Sequence, residues 1–271
     1  MEKRIGVIGY KGRLGSELVF RGCFPIDCDL LDIKSIKDGI EEQSPDVIIN
    51  CAAFTDVDAC EKNIIKAYQI NSFAPKTLVS CFDKKFIHIS TDFIFDGNKD
   101  GGYNEDDIPF PINQYGYSKL FGEIGIKGYH DLLVVRTTVL YDAKSEKPNF
   151  VKSIYNKLKN KETITLPKLL GSPTYVPHLA DGILYCIEKD LIGVINIVGK
   201  DILSRYEMGK RICQKFGFNS NLVQSGIAWG DAKRGEKLGL TTKKAESMGV
   251  PIYSFDQGLD EFGKIYGSRN S

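Results

Sequence analysis

Directly behind its first apolar run the chain places three glycines at three-residue intervals. Arg4-Ile5-Gly6-Val7-Ile8-Gly9 reads as a buried parallel strand, and Gly9, Gly12 and Gly15 then open a helix that continues through Ser16-Glu17-Leu18. Each glycine has a physical task in such a turn. The first permits the sharp reversal, the second lets backbone amides approach a bound group closely, and the third lets the helix pack against the strand. The helix N-terminus then presents unpaired N–H groups and the positive end of its dipole, which suits a pyrophosphate. Few folds begin this way, and most that do bind a dinucleotide.

The rest of the chain repeats the alternation. A second strand is expected near residues 26–31, followed by a short helix at 36–42 and a third strand at 45–51. A long helix over 58–80, with Asn71 inside it, precedes a fourth strand at 85–90 that runs into Thr91. Further strands are read at 132–136, 163–166 and 193–198, with helices at 149–159, 178–189, 204–216, 242–248 and 255–266. Gly171-Ser172-Pro173-Thr174-Tyr175-Val176-Pro177 is too rich in proline and glycine for regular structure. Strands alternating with helices predict an α/β fold with a doubly wound parallel sheet, the Rossmann arrangement. The expected division gives 1–140 and part of 170–200 to the dinucleotide-binding domain. Residues 141–170 and 200–271 are left to a smaller C-terminal substrate-binding lobe.

Asn113-Gln114-Tyr115-Gly116-Tyr117-Ser118-Lys119 sets a tyrosine and a lysine four residues apart on a helix, and hence on one face. A free phenol, with a pKa of about 10, holds its proton too tightly for work near neutrality. A neighbouring ammonium lowers that value, and the phenol can then give a proton to a carbonyl oxygen while hydride reaches the carbon. Thr91, at the carboxyl tip of the fourth strand, can hydrogen-bond the same oxygen. His88 lies inside that strand and reads as a core histidine.

These features together resemble the extended short-chain dehydrogenase/reductases. Asn50-Cys51-Ala52-Ala53-Phe54-Thr55-Asp56-Val57-Asp58, Ser90-Thr91-Asp92-Phe93-Ile94-Phe95-Asp96-Gly97, Gly171-Ser172-Pro173-Thr174 and Leu240-Thr241-Thr242-Lys243-Lys244 narrow the resemblance to the dTDP-4-dehydrorhamnose reductase family. That resemblance implies NADPH- or NADH-dependent reduction of the 4-keto group of a nucleotide sugar. It gives catalytic roles to Thr91, Tyr115 and Lys119, with Lys119 also holding the nicotinamide ribose. Gly9, Tyr10, Gly12, Arg13 and Leu14 would cradle the pyrophosphate, Asp32 and Ile33 would lie by the adenine, and Cys51, Ala52 and Ala53 would line the cofactor cleft. Thr55, Val57, Asp92 and Phe93 would face the sugar nucleotide. Lys11, Arg13 and Arg21 favour the phosphorylated cofactor, against Asp27, Asp29 and Asp32. Magnesium is associated with some members, and Glu17 matches one ligand position. Where the family has serine and tryptophan after Arg136-Thr137, this chain has Thr138-Val139, so the sugar pocket lacks an indole; Trp229 lies elsewhere. The same resemblance admits a sugar-nucleotide epimerase, or an NADP-binding regulatory subunit like that of methionine adenosyltransferase. A dehydratase is disfavoured, because Phe93 stands where those enzymes carry a second carboxylate.

Composition removes other classes. A net charge of +1 over 271 residues gives no electrostatic case for nucleic acid or an anionic membrane. No apolar run approaches a membrane span, and no signal peptide is visible. Seven cysteines without CxxC spacing suit free thiols in a cytoplasmic protein. A monomer or homodimer acting on a nucleotide sugar is the resulting expectation.

Overall fold

The computed structural model describes residues 3–227 and 230–268, so Trp229 lies outside the described residues. Six parallel strands form the central sheet in the order Gly193–Asn196, Leu132–Thr137, Lys85–Thr91, Val47–Asn50, Ile5–Ile8, Phe24–Pro25. From Ile5–Ile8 the chain steps outward to the Phe24–Pro25 edge and then returns to build the other side. The strand order therefore reverses between Ile5–Ile8 and Val47–Asn50, and a crevice opens there at the carboxyl ends.

The inner strands are near-continuous apolar runs because both faces are covered. Val7, Ile49, Ile87, Val135 and Ile195 face one way, against Leu14 and Leu18 of helix Arg13–Phe20 and against helix Val176–Glu188. Ile8, Ile48, Phe86 and Val134 face the other, against Ile36, Leu78 and Ile126. A separate apolar cluster joins Tyr141, Val151, Ile154 and Tyr155 to Ile212, Phe255 and Phe262, next to the sheet rather than beneath it. The tail is divided: Ala245 and Val250 pack into the first cluster, whereas Phe255 and Leu259 belong to the last. All seven cysteines are free thiols. No helix among the described residues is long and apolar enough to cross a membrane.

Several expected elements differ. The second strand is only Phe24–Pro25, not 26–31, because Ile26 makes the last sheet bond to Val7 O and the aspartates then turn the chain. Asp29 accepts from Leu31 N, and Asp32 caps helix Ile33–Gln43 by accepting from Lys34 N. The 58–80 helix is broken at Asn63 and widened into a π-turn at Gln69–Phe73 before Ala74–Ser80 resumes. The Gly171 segment, expected to be irregular, contributes short strands Leu170–Gly171 and Thr174–Tyr175.

Helix Gln114–Ile126 is seated by two glycines. A Cβ on Gly116 would fall 2.1 Å from Phe93 O, and one on Gly122 would fall 2.2 Å from Asn71 O, inside the π-turn. Asn113 caps the helix by accepting from Gly116 N at 2.8 Å. At Gly122 a methyl would meet fixed backbone, so Gly122→Ala is expected to cost about 1–3 kcal/mol of overpacking. Alanine's advantage in helix propensity, about 1 kcal/mol, opposes this. The expected net result is a melting temperature lower by several degrees; an unchanged or raised value would refute the close seat.

Candidate active site

The crevice at the strand reversal is a cleft of about 550 Å³, within the range of small-molecule sites. Strand-to-helix turns supply its walls. The turn after the first strand contributes Gly12, Arg13 and Leu14, and that after Val47–Asn50 contributes Cys51, Ala53, Thr55 and Val57. Lys85–Thr91 delivers Thr91, Asp92 and Phe93, and helix Gln114–Ile126 delivers Tyr115 and Lys119. A larger hollow of about 710 Å³ lies beside Glu123 and Arg136. Its buried charges are already satisfied by one another through a paired contact at 2.8 and 3.2 Å, so the chemistry belongs to the first cleft.

The glycine turn fits a dinucleotide phosphate. Gly9 adopts φ +76°, and a Cβ there would lie 2.5 Å from Ala52 N, while one on Gly15 would lie 2.4 Å from Gly9 O. Gly9 and Gly15 thus close the turn and pack it, leaving Gly12 on the cleft wall. Gly12 N-caps helix Arg13–Phe20 with no side-chain hydrogen bond, so the first amides of that helix await an acceptor. Above the turn, Lys147 Nζ donates to Lys11 O at 2.7 Å and Arg13 donates to Pro148 O.

Some expected cofactor residues stand outside this cleft. Gly9, Tyr10 and Ala52 are half-buried but do not line it, and Lys11 Nζ lies 5.0 Å from the Tyr10 ring centroid. Asp32 is committed to its helix cap, and Ile33 is exposed. Arg21 is tied to Glu17, Asp181 and Pro177 O. Glu17 is paired with Arg21 at 2.9 Å and Lys144 at 3.5 Å, and no cluster of three His, Cys, Asp or Glu side chains is found among the described residues.

At the reaction end, the Thr91 hydroxyl meets two groups. It donates to Asp92 Oδ1 at 3.0 Å and also lies in hydrogen-bond contact with Tyr115. Asp92 additionally accepts from Thr138 Oγ1 at 2.5 Å, and its burial pushes the carboxyl up to about 6. Phe93 packs edge-on against Tyr115 at 5.5 Å. The expected lowering of the Tyr115 phenol by Lys119 is not seen: burial raises it, and only its Thr91 hydrogen bond acts in the other direction. The Lys119 ammonium is instead turned toward the strand, donating to Ile89 O at 2.6 Å and lying 3.4 Å from His88 Nε2. Burial lowers Lys119 to about 8, opposed by Glu123. His88 is therefore in contact with a site residue, beyond the core role read from the sequence.

Sequence reasoning missed Arg205. It is the first residue of helix Arg205–Phe216, behind the Ser204–Glu207 capping box, and its side chain reaches the cleft wall. The guanidinium lies 5.2 Å from the Phe150 ring centroid and donates to Met208 Sδ at 3.5 Å, but makes no ion pair among the described residues. Burial lowers it to about 10, with Asp92 acting oppositely. The S-x-x-E spacing locates the helix start, but no sequence signal tells which way that side chain points. Beside it, Val139 occupies the left-handed backbone region at φ 49°, a strained place for a β-branched residue. A Cβ on Gly171 would lie 2.9 Å from Val139 Cγ2 and 3.2 Å from Arg205 Nη1, so these three close the wall where the family carries an indole.

Known proteins resemble this chain in sequence and in fold. Residues 3–267 match the family model described as RmlD substrate binding domain. The chain is 32% identical to the probable low-salt glycan biosynthesis reductase Agl14 of Haloferax volcanii over 73% of this chain and 69% of that protein. It is 30% identical to the dTDP-4-dehydrorhamnose reductase of Mycobacterium tuberculosis H37Rv over 82% and 78% of the two chains. The crystal structure of dTDP-4-dehydrorhamnose reductase from Bacillus anthracis in complex with NADP superposes with a TM-score of 0.90 at 30% identity, covering 97% of this chain and 99% of that one.

The buried lysine makes stability depend on pH. Its folded value of about 8 lies below the 10.5 of an unfolded lysine, so between these the unfolded chain binds more protons. This contribution to stability therefore rises with pH across that window, and the penalty, on the order of 3 kcal/mol, is fully present below it. Lys119→Met is expected to raise the unfolding free energy at pH 7 and to flatten the rise from pH 8 to 10.5. Denaturant titrations showing the wild-type slope in the variant would refute the shift.

Proposed function

The chain belongs to the RmlD substrate binding domain family, and on that premise we propose that it uses NADPH to reduce the 4-keto group of a nucleotide-linked deoxysugar, as a dTDP-4-dehydrorhamnose reductase does. The observation that carries the reading is the convergence of Thr91, Tyr115 and Lys119 on one cleft above an uncapped helix N-terminus. When bound, the nicotinamide supplies the hydride. The amides behind Gly12, with Arg13, hold the pyrophosphate, and the exposed Lys11 ammonium favours the phosphorylated cofactor.

Tyr115 acts as the proton donor. Its raised affinity for the proton keeps the hydroxyl protonated at neutral pH, and the carbonyl oxygen takes that proton as hydride transfer turns it into an alkoxide. Thr91 gives up its bond to Asp92 to orient that oxygen, and Lys119 stabilises the phenolate by its charge. Phe93 supports reduction over elimination, since no second carboxylate follows Asp92. Arg205 fits the diphosphate of the substrate: a guanidinium without an ion-pair partner among the described residues, in a largely desolvated wall, favours an anionic group in the cleft.

Purified protein mixed with dTDP-4-dehydrorhamnose and NADPH is expected to consume the reduced nicotinamide, followed by its near-ultraviolet absorbance. No consumption with this or other 4-keto sugar nucleotides would refute the reading. Tyr115→Phe is expected to lower kcat by about 10²–10⁴-fold with NADPH affinity nearly unchanged. Arg205→Leu is expected to raise the sugar-nucleotide KM at least tenfold with a smaller change in kcat, and an unchanged KM would remove it from the substrate site.

A further inference from the structure

Behind Lys119 a chain of buried polar groups leads away from the cleft, and one fixed donor determines its polarity. Ala52 N–H is backbone and can only donate; it gives its hydrogen to Asn50 Oδ1 at 3.1 Å. The Asn50 amide is thereby oriented, and its Nδ2 faces His88 Nδ1 at 3.3 Å. An amide nitrogen donates, so Nδ1 must accept. The His88 ring is wholly buried and neutral, its affinity for a second proton cut by burial and by Lys119. A neutral imidazole with Nδ1 accepting carries its single hydrogen on Nε2, which is the atom facing Lys119 Nζ at 3.4 Å.

An N–H aimed at an amine is a hydrogen bond; aimed at an ammonium, it opposes donor to donor. We propose that Asn50 and His88 are positioning residues for Lys119: Asn50 fixes His88 with its hydrogen on Nε2, and that hydrogen favours the neutral amine of Lys119 over its ammonium. The inference rests on the reductase reading for its purpose but not for its chemistry. The other charged and titratable groups around Lys119 are Tyr115 and Glu123 on its own helix, Arg136 on the neighbouring strand and Cys51 beyond the third strand. Glu123 favours the ammonium but is held by Arg136 at 2.8 Å, and the Cys51 thiol is kept neutral by burial. Ile89 O accepts from either form of Lys119. The imidazole hydrogen thus works with burial, and the lysine can lose and regain its proton closer to neutral pH than an exposed lysine.

Two magnetic-resonance measurements on the full chain test this without reference to activity. In protein labelled with ¹⁵N-histidine, His130→Gln and His178→Gln assign the His88 signals among the three histidines. The expected wild-type spectrum at neutral pH has a protonated Nε2 and an unprotonated Nδ1; the opposite tautomer, or a charged ring, would overturn the proposal. In Asn50→Asp a carboxylate replaces the amide donor, the hydrogen is expected to move to Nδ1, and Nε2 then accepts from the ammonium. The Lys119 ¹³Cε titration should shift upward by about one pH unit or more, a tenfold change in the proton equilibrium. A ring that inverts while Lys119 titrates as in the wild type would also overturn it. If no sugar nucleotide is reduced but both signals behave as expected, the functional reading fails and this inference stands.

Discussion

Everything at the reaction end depends on how deeply one helix sits. Gln114–Ile126 lies against the Phe93 carbonyl at Gly116 and against the Asn71 carbonyl at Gly122, and neither approach leaves space for a side chain. This depth puts Tyr115 beside Thr91 and brings Lys119 down to Ile89 O and His88. The π-turn at Gln69–Phe73 is part of the same fit, because it carries Asn71 to the helix. There Asn71 Oδ1 accepts from Phe54 N at 2.8 Å and its Nδ2 donates to Ser118 Oγ at 2.9 Å. One asparagine thus joins the loop after the third strand, the widened helix and the helix bearing the tyrosine.

Burial, more than pairwise charge, shapes the protonation of this site. It raises Tyr115 and Asp92 and lowers Lys119, His88 and Arg205. The four-residue spacing of tyrosine and lysine suggests a direct electrostatic partnership, but the lysine is drawn aside to a strand carbonyl. Its influence on the phenol is therefore that of a nearby charge in a low-dielectric wall. Asp92, held by two threonine hydroxyls, keeps the Thr91 hydrogen engaged until a better acceptor enters.

Much of this was legible in the sequence. The glycine turn, the strand ending in Thr91 and the helix carrying Tyr115 and Lys119 are set by local patterns, and the fold brings all three to one crevice. What was hidden depends on contacts between distant segments. Asp32 also caps helix Ile33–Gln43, a role that its place among neighbouring aspartates conceals. His88 is a core histidine by its strand position, and only the crossing of the next helix reveals that it touches Lys119. Arg205 belongs to the far apolar cluster in sequence, and its reach into the cleft follows from how that cluster leans on the sheet. The π-turn could not be read either, because its contact is with Gly122 on a helix some fifty residues away.

The strained backbone at Val139 has a consequence for how the pocket can change. Glycine there would relax the left-handed conformation and also strip away the side chain that abuts Gly171. Robustness of the chain and definition of the pocket's edge thus pull in opposite directions at a single position. Selection for heat tolerance alone would tend to erase the contour of the cleft at that edge.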